Sequence, residues 1–175
     1  RDGLAYFHPF ADPAVIAGQG TTALEILDQA PEVDELLVAI GGGGMISGIS
    51  LAVKALRPSV RIVGVEPTGA ATLFESVKAG QVVELPDITT RVPTLAALRT
   101  EPINLEIVQR CVDEIVLVTD DEMREAARWL WFEMGIAADL SGAASVAALR
   151  SGKVQPRKGR TVCALVSGAG SDGLA

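Results

Sequence analysis

The chain has 175 residues, enough for one domain with a sizeable core, and 49% of them are apolar although only 4% are aromatic. Its net charge of -7 excludes a nucleic-acid-binding surface, which would need clustered Lys and Arg. No apolar stretch approaches the roughly 20 residues of a membrane span, and the polar, proline-broken opening does not resemble a signal peptide. We therefore expect a cytoplasmic protein without a membrane partner.

Residues 1–20 are predicted to be a segment that returns from a missing N-terminal part and is irregular up to Pro13, and residues 21–175 are predicted to form a cofactor-phosphate-binding α/β domain. Because the sequence opens on Arg1, the chain is expected to be a piece of a longer protein. Apolar residues at helical spacing predict a helix over 14–30, capped by Thr21 or Thr22 and ended by Pro31.

Short apolar runs alternate with helical patterns along the rest of the chain. Strands are predicted at 34–40, 60–66 and 113–119, and a last strand begins near 159. Helices are predicted at 44–57, 70–79, 103–111, 120–135 and 141–152. The proline-marked stretch 82–102 is predicted to be loop. This alternation predicts an α/β fold, an open and mainly parallel twisted sheet flanked by helices.

Local signals define the ends and the buried face of two of these helices. Thr119 and Glu122 form a capping box for the helix at 120–135, and Gly80 is expected to end the helix at 70–79. Five apolar residues of the helix at 120–135 are predicted to face the sheet: Met123, Ala127, Leu130, Trp131 and Met134.

Four consecutive glycines follow the predicted strand at 34–40. They are Gly41, Gly42, Gly43 and Gly44, here called the tetraglycine loop. Glycines adopt unusual φ angles, so successive N–H groups can converge on one anion, and the helix starting near Met45 directs its positive end at the same point. Ligands of open α/β sheets bind outside the carboxyl ends of strands. The pattern therefore favours a phosphate site over a sharp turn that is merely rich in glycine.

A second glycine-rich turn places Ser167 beside Gly168 at the end of the last predicted strand. The Ser167 hydroxyl can form a hydrogen bond with a ring nitrogen of a flat ligand. Taken alone, a serine at a strand end is more often a turn residue, so this signal depends on the first loop.

Spacing alone leaves a dinucleotide-binding domain as an alternative. Glu66 ends the strand that follows the tetraglycine loop, where such folds place a ribose-binding carboxylate. Gly42, Gly44 and Gly48 also form a G-x-G-x-x-x-G variant. An NAD(P)- or FAD-binding Rossmann-type oxidoreductase domain is therefore the second hypothesis, and a cap or salt-bridge role for Glu66 is the structural alternative.

Four segments resemble a known family in their order and spacing: HPFADPAVIAGQGTTALEI, GGGGMISGIS, VGVEPTGA and LVSGAGSDG. They resemble the serine/threonine dehydratase group of pyridoxal-phosphate (PLP) enzymes, which have the tryptophan-synthase-β-like fold (fold type II) and include serine racemases. The resemblance runs over nearly the whole chain. It implies PLP as cofactor, an amino-acid substrate, and removal of an α-proton followed by loss of the β-hydroxyl, giving a 2-oxo acid and ammonia.

The resemblance also implies roles for individual residues. The tetraglycine loop and the Met45 amide would hold the cofactor phosphate, and Ser167, beside Gly168, would face the pyridine nitrogen. Glu66 and the Ala70 carbonyl match ligands of a divalent cation or K⁺ in relatives, whereas Thr72 occupies the position of the usual carboxylate.

The chain departs from the family pattern in three places. Residues 139–143 read DLSGA in place of E-P-x-G-A, and residues 92–96 read VPTLA in place of A-D-G-L-A. The family's Schiff-base lysine and substrate-carboxylate loop lie in an N-terminal half that is absent here, and the four lysines of this chain lie outside that motif: Lys54, Lys78, Lys153 and Lys158. The chain is therefore expected to hold no catalytic residue and to be inactive alone. The full-length enzyme is expected to be a homo-oligomer, and a truncated, non-catalytic subunit is the third hypothesis.

Overall fold

A four-stranded parallel sheet forms the centre of the computed structural model, which describes residues 5–174. The strands are β1 (Val33–Ala39), β2 (Arg61–Pro67), β3 (Glu114–Val118) and β4 (Thr161–Ala164). They lie in the order β3-β2-β1-β4, and every neighbouring pair is parallel. All four coincide with predicted strands, and the predicted α/β class is confirmed.

Six α-helices flank the sheet within the described residues. They are α1 (Pro13–Gln29), α2 (Gly44–Leu56), α3 (Thr72–Ala79), α4 (Pro102–Cys111), α5 (Asp120–Met134) and α6 (Leu140–Arg150). Short 3₁₀ turns lie at Thr68–Ala70, Pro93–Leu95 and Asp172–Leu174. None of the helices within residues 5–174 has the length and apolar character needed to cross a lipid bilayer.

Alternating strand residues separate two hydrophobic layers. Leu37 and Val63 pack with apolar residues of α5 and α6 on one face of the sheet. Leu36 and Ile62 pack with apolar residues of α1, α2 and α4 on the other face. Because both faces of the sheet are covered, the strands consist of nearly continuous apolar runs.

The beginning of α1 differs from the prediction. Asp12 caps the helix and accepts a hydrogen bond from the Ala14 amide at 2.8 Å. Thr21 lies inside the helix, where its hydroxyl donates to the Gly18 carbonyl, so the predicted threonine cap is wrong. Helix α1 is continuous across residue 20 and packs on α2, with Gly48 so close that a Cβ there would lie 2.1 Å from the Ile16 carbonyl oxygen. Residues 13–20 are therefore helical, whereas the origin of the preceding segment in a longer protein stays a prediction.

Helix α5 confirms its predicted cap but only part of its predicted face. Thr119 and Glu122 form the reciprocal capping box. Met123, Ala127 and Leu130 are buried, as expected, but Trp131 is only partly buried and Met134 is 56% exposed. The last turn of α5 is largely exposed, so helical spacing there does not select a buried face.

Candidate functional site

A cleft of about 440 Å³ lies at the carboxyl ends of β1 and β4. It is lined by all seven residues for which sequence analysis predicted a cofactor role: Gly41, Gly42, Gly43, Gly44, Met45, Ser167 and Gly168. Further lining residues come from three other parts of the chain: Pro9, Phe10, Thr94, Leu95, Asp139 and Ser141. The fold thus brings both glycine-rich turns to one place.

A second hollow of similar size, about 380 Å³, lies among α1, α2 and α4. Its lining is almost entirely apolar, with Ile16, Leu24 and Leu51 among its residues. It offers few groups that could orient a polar ligand, so the cleft at the sheet edge is the better candidate site.

The conformation of the tetraglycine loop depends on glycine. Gly43 is the N-cap of α2 with φ 100° and ψ -3°, in the left-handed region where other residues are strained. A Cβ at Gly42 would lie 2.3 Å from the Phe10 ring. Because Gly43 has no side chain to cap the helix, it supplies no acceptor for the first-turn amides of α2, which remain suited to an anion.

Two buried side chains that do not line the cleft form hydrogen bonds with the loop and with its neighbour Phe10. The buried Thr100 hydroxyl donates to the Gly42 carbonyl oxygen at 3.0 Å. The buried Asn104 amide donates to the Phe10 carbonyl oxygen at 2.9 Å, which holds Phe10 against the loop. The Oδ1 atom of Asn104 is buried and has no hydrogen-bond partner among residues 5–174. Sequence analysis missed both residues, because a threonine and an asparagine after a loop carry no distinctive signal.

The second glycine-rich turn is attached to the start of α6. The Asp139 carboxylate caps α6 through the Gly142 amide and accepts from the Ser141 hydroxyl at 2.8 Å. The Asp139 amide donates to the Gly168 carbonyl at 3.2 Å, and a Cβ at Gly168 would lie 2.6 Å from the Asp139 carboxylate oxygens. Asp139 thus fixes the turn that carries Ser167 to the cleft.

Glu66 lies outside the cleft and is fully buried at the end of β2. Its two carboxylate oxygens accept hydrogen bonds from the amides of Leu73 and Phe74, both at 2.8 Å, in the first turn of α3. Burial raises the pKa of Glu66 to about 8, although these N–H groups oppose the shift. This geometry supports the cap role and leaves no carboxylate free to bind a ribose.

The residues expected to bind a cation do not fit one. Glu66 supplies a single carboxylate that already accepts from two amides. The Thr72 hydroxyl donates to the Ala97 carbonyl at 2.5 Å and lies 3.5 Å from the Ala70 carbonyl oxygen. Within residues 5–174 no group of three His, Cys, Asp or Glu side chains could hold a metal. Divalent cations prefer several oxygen ligands with carboxylate charge, so the expected cation site is not supported.

The lysines lie away from the cleft. Lys54 donates to the Val60 carbonyl and pairs with Asp113, both at 2.8 Å. Lys78 and Lys153 form ion pairs with glutamates on the surface, and Lys158 is exposed. Within the part of the chain that the structure describes, none of the four lines the cleft.

Comparison with known proteins gives this geometry a family. Residues 1–168 match the family model described as pyridoxal-phosphate dependent enzyme. The chain belongs to this family. The resemblance stated from the sequence is confirmed, and the oxidoreductase alternative has no further support.

The relatives include lyases and racemases. L-threonine ammonia-lyase of Geobacter sulfurreducens is 39% identical over 166 residues, which cover 95% of this chain and 41% of that protein. Serine racemase of Bos taurus is 37% identical over 171 residues, which cover 94% of this chain and 50% of that protein. The solved structure of maize serine racemase matches with a TM-score of 0.89 and 34% identity, covering 95% of this chain and 54% of that one. The chain thus spans about half the length of the curated relatives it matches or less, and it shares the fold of PLP fold type II enzymes.

Proposed function

We propose that this chain is the C-terminal, phosphate-binding portion of a PLP-dependent enzyme that eliminates the β-hydroxyl group of serine or threonine. The observation that carries the proposal is the convergence of the tetraglycine loop, the start of α2 and Ser167 on one cleft. The names of two relatives, L-threonine ammonia-lyase and phenylserine dehydratase, support elimination as the reaction.

The cleft fits the phosphate of PLP. A Cβ at Gly41 would lie 2.7 Å from the Thr94 carbonyl oxygen and one at Gly42 would strike the Phe10 ring, so only glycine lets the loop pack this closely against its neighbours. The backbone amides and the positive end of α2 would hold a dianion without a lysine or arginine. When bound, PLP supplies an electron sink that stabilises negative charge on the substrate α-carbon.

The side chains of the cleft would orient the cofactor and limit water. Phe10 and Leu95 contribute apolar surface beside the tetraglycine loop. Ser167 would form a hydrogen bond with the ring nitrogen. A neutral hydroxyl does not keep that nitrogen protonated as a carboxylate would, so the Ser167 position favours a weaker electron sink.

Covalent attachment of the cofactor needs an amine close to it, and the lysines of this chain lie elsewhere. We therefore propose that catalysis requires a further part of the enzyme that supplies the lysine and the site for the substrate carboxylate. A cation has no role in this proposal. The homo-oligomeric assembly of the full-length enzyme and its cytoplasmic location stay predictions.

A titration of the purified chain with PLP, followed by borohydride reduction and intact mass measurement, tests the proposal. We expect saturable binding with no stoichiometric covalent adduct, and weaker binding of pyridoxal, which lacks the phosphate. Equal affinity for PLP and pyridoxal would contradict a phosphate site. A single stoichiometric lysine adduct would show that the attaching amine is present in this chain after all.

Racemisation is the second candidate reaction, favoured by the similarity to serine racemases. Both reactions begin with removal of the substrate α-proton and differ in whether the β-hydroxyl leaves. The full-length enzyme incubated with L-serine separates them: elimination predicts pyruvate and ammonia in equal amounts, whereas racemisation predicts D-serine on chiral chromatography.

A further inference from the structure

A hydrogen bond behind the tetraglycine loop sets the direction of one peptide group. The Thr100 hydroxyl donates to the Gly42 carbonyl oxygen at 3.0 Å, and Thr100 is completely buried. Gly42 and Gly43 line the cleft whereas Thr100 does not. Thr100 therefore contacts the loop without lining the cleft.

The planarity of the peptide bond relates this carbonyl to the next amide. In a trans peptide, the C=O of one residue and the N–H of the next point in opposite directions. With the Gly42 carbonyl directed at Thr100, the Gly43 N–H points away from Thr100, and Gly43 is one of the residues that line the cleft. An N–H in that direction is suited to binding an anion.

Glycine makes the orientation of this peptide reversible. Gly43 has φ 100°, and glycine populates positive and negative φ about equally well. Rotation of the peptide between Gly42 and Gly43 by half a turn would exchange the two groups and direct the carbonyl oxygen to the cleft. An oxygen there would repel a phosphate, so the loop needs a group that selects one orientation.

We propose that Thr100 is a positioning residue that selects the phosphate-binding orientation of the peptide between Gly42 and Gly43. This inference rests on the proposed function, because it assigns the loop to the cofactor phosphate. Thr100 itself touches neither phosphate nor substrate. Its hydroxyl acts through the Gly42 carbonyl, so the contribution depends on the hydroxyl rather than on the size of the side chain.

Matched threonine variants in the full chain test this role. Thr100→Val keeps the shape but loses the donor, and Thr100→Ser keeps the donor. Thr72→Val is the control, because Thr72 is as buried as Thr100 and its hydroxyl also donates to a backbone carbonyl, that of Ala97. Like Thr100, Thr72 does not line the cleft. We expect Thr100→Val to raise the Kd for PLP by about three- to tenfold, the effect of one lost hydrogen bond, with Thr100→Ser near wild type. Thr72→Val should lower the melting temperature without changing this Kd.

Pyridoxal and an NMR measurement separate the inference from the proposed function. The Kd for pyridoxal should be the same in Thr100→Val and in the wild type, because the effect concerns the phosphate alone. In ¹H–¹⁵N spectra, inorganic phosphate should shift the Gly43 amide signal of the wild type, and Thr100→Val should show a second or exchange-broadened Gly43 signal without ligand. A wild-type Kd in Thr100→Val, or a single sharp unshifted Gly43 signal in that variant, would overturn the role of Thr100. Failure of the wild type to distinguish PLP from pyridoxal would overturn the proposed function, while the ligand-free Gly43 signal would still decide whether Thr100 orients the peptide.

Discussion

Helices α2 and α3 begin after neighbouring parallel strands, but a side chain accepts hydrogen bonds from the first amides of α3 and none caps α2. At α3, the carboxyl oxygens of Glu66 accept from the Leu73 and Phe74 amides, so a side chain of the protein already occupies the start of this helix. At α2, the cap position is Gly43, which offers no acceptor. Both ends carry the same positive partial charge. The difference shows that the amides of a helix start stay available to a ligand only where no side chain of the protein accepts from them.

The buried Glu66 carboxyl group at the start of α3 should make the free energy of unfolding depend on pH. Burial raises the pKa of Glu66 from 4.5 to about 8 in the folded state. Between these two pH values the native state therefore keeps a proton that the unfolded state has released. The contribution of Glu66 to the free energy of unfolding is then greatest below the unfolded-state pKa of this group. It decreases by an amount on the order of a few kcal/mol as the pH rises toward 8. Urea unfolding between pH 5 and 8.5 measures this slope.

Glu66→Gln is the control for this pH dependence. Its free energy of unfolding should be lower, since one amide loses its acceptor, but flatter across the same pH range. A wild-type stability that does not fall between pH 5 and 8.5 would mean that the two backbone N–H groups outweigh burial and hold the Glu66 carboxylate charged.

At the start of α2, where Gly43 provides no side-chain cap, a single added methyl group should weaken PLP binding. Gly43→Ala places a Cβ 2.7 Å from the Leu73 side chain and strains a left-handed residue, whereas Gly80→Ala strains a left-handed residue with φ 68° and nothing within 4 Å. Both variants should lose about 1–2 kcal/mol of stability. Only Gly43→Ala should also weaken PLP binding, by about tenfold or more, in a fluorescence titration. An equal loss of affinity in both would trace the effect to general destabilisation.

Ser167 lines the same cleft as the start of α2 but follows another strand, β4. Ser167→Ala should raise the Kd for PLP about threefold, the effect of one partly exposed hydrogen bond. The same factor should appear for pyridoxal, because the proposed contact is to the ring rather than the phosphate. Ser171→Ala, an exposed serine in the same turn, is the matched control and should leave both constants unchanged. A loss restricted to PLP would place Ser167 at the phosphate instead.

The smallest expected effect is that of added cations on Glu66 and Thr72 at the start of α3. Because Glu66 and Thr72 already have hydrogen-bond partners, millimolar Mg²⁺ or EDTA should change the melting temperature by less than about 1 °C relative to NaCl of equal ionic strength. A saturable stabilisation by Mg²⁺ that Glu66→Gln abolishes would show that a cation displaces these hydrogen bonds.

Local patterns predicted the strands, the helices and several of their ends. The Thr119 and Glu122 capping box and the Gly80 C-cap are formed by residues close in sequence, so their effect does not depend on the rest of the fold. The same logic failed for the cap of α1, which is Asp12 and not Thr21 or Thr22, and for Met134, which is exposed. Helical spacing identifies a face but not how far the neighbouring layer reaches.

The candidate site was only partly visible in the sequence. Consecutive glycines at a strand end are a local signal, and both glycine-rich turns were identified from it. Thr100 and Asn104 carry no such signal, because they act on residues 58 and 94 positions away in the chain. Glu66 could be a ribose ligand, a cation ligand or a cap by sequence, and only its contacts with α3 distinguish these roles.

The alternation of strands and helices, the tetraglycine loop and the resemblance to PLP enzymes could all be recognised in the sequence, because they depend on residue order and short-range sterics. Three features became visible only in the folded chain: the strand order β3-β2-β1-β4, the meeting of the two glycine-rich turns in one cleft, and the capping of α3 but not of α2 by a side chain. Each of them consists of contacts between residues far apart in sequence. Such contacts depend on distances in space, which the spacing of residues along the chain does not specify.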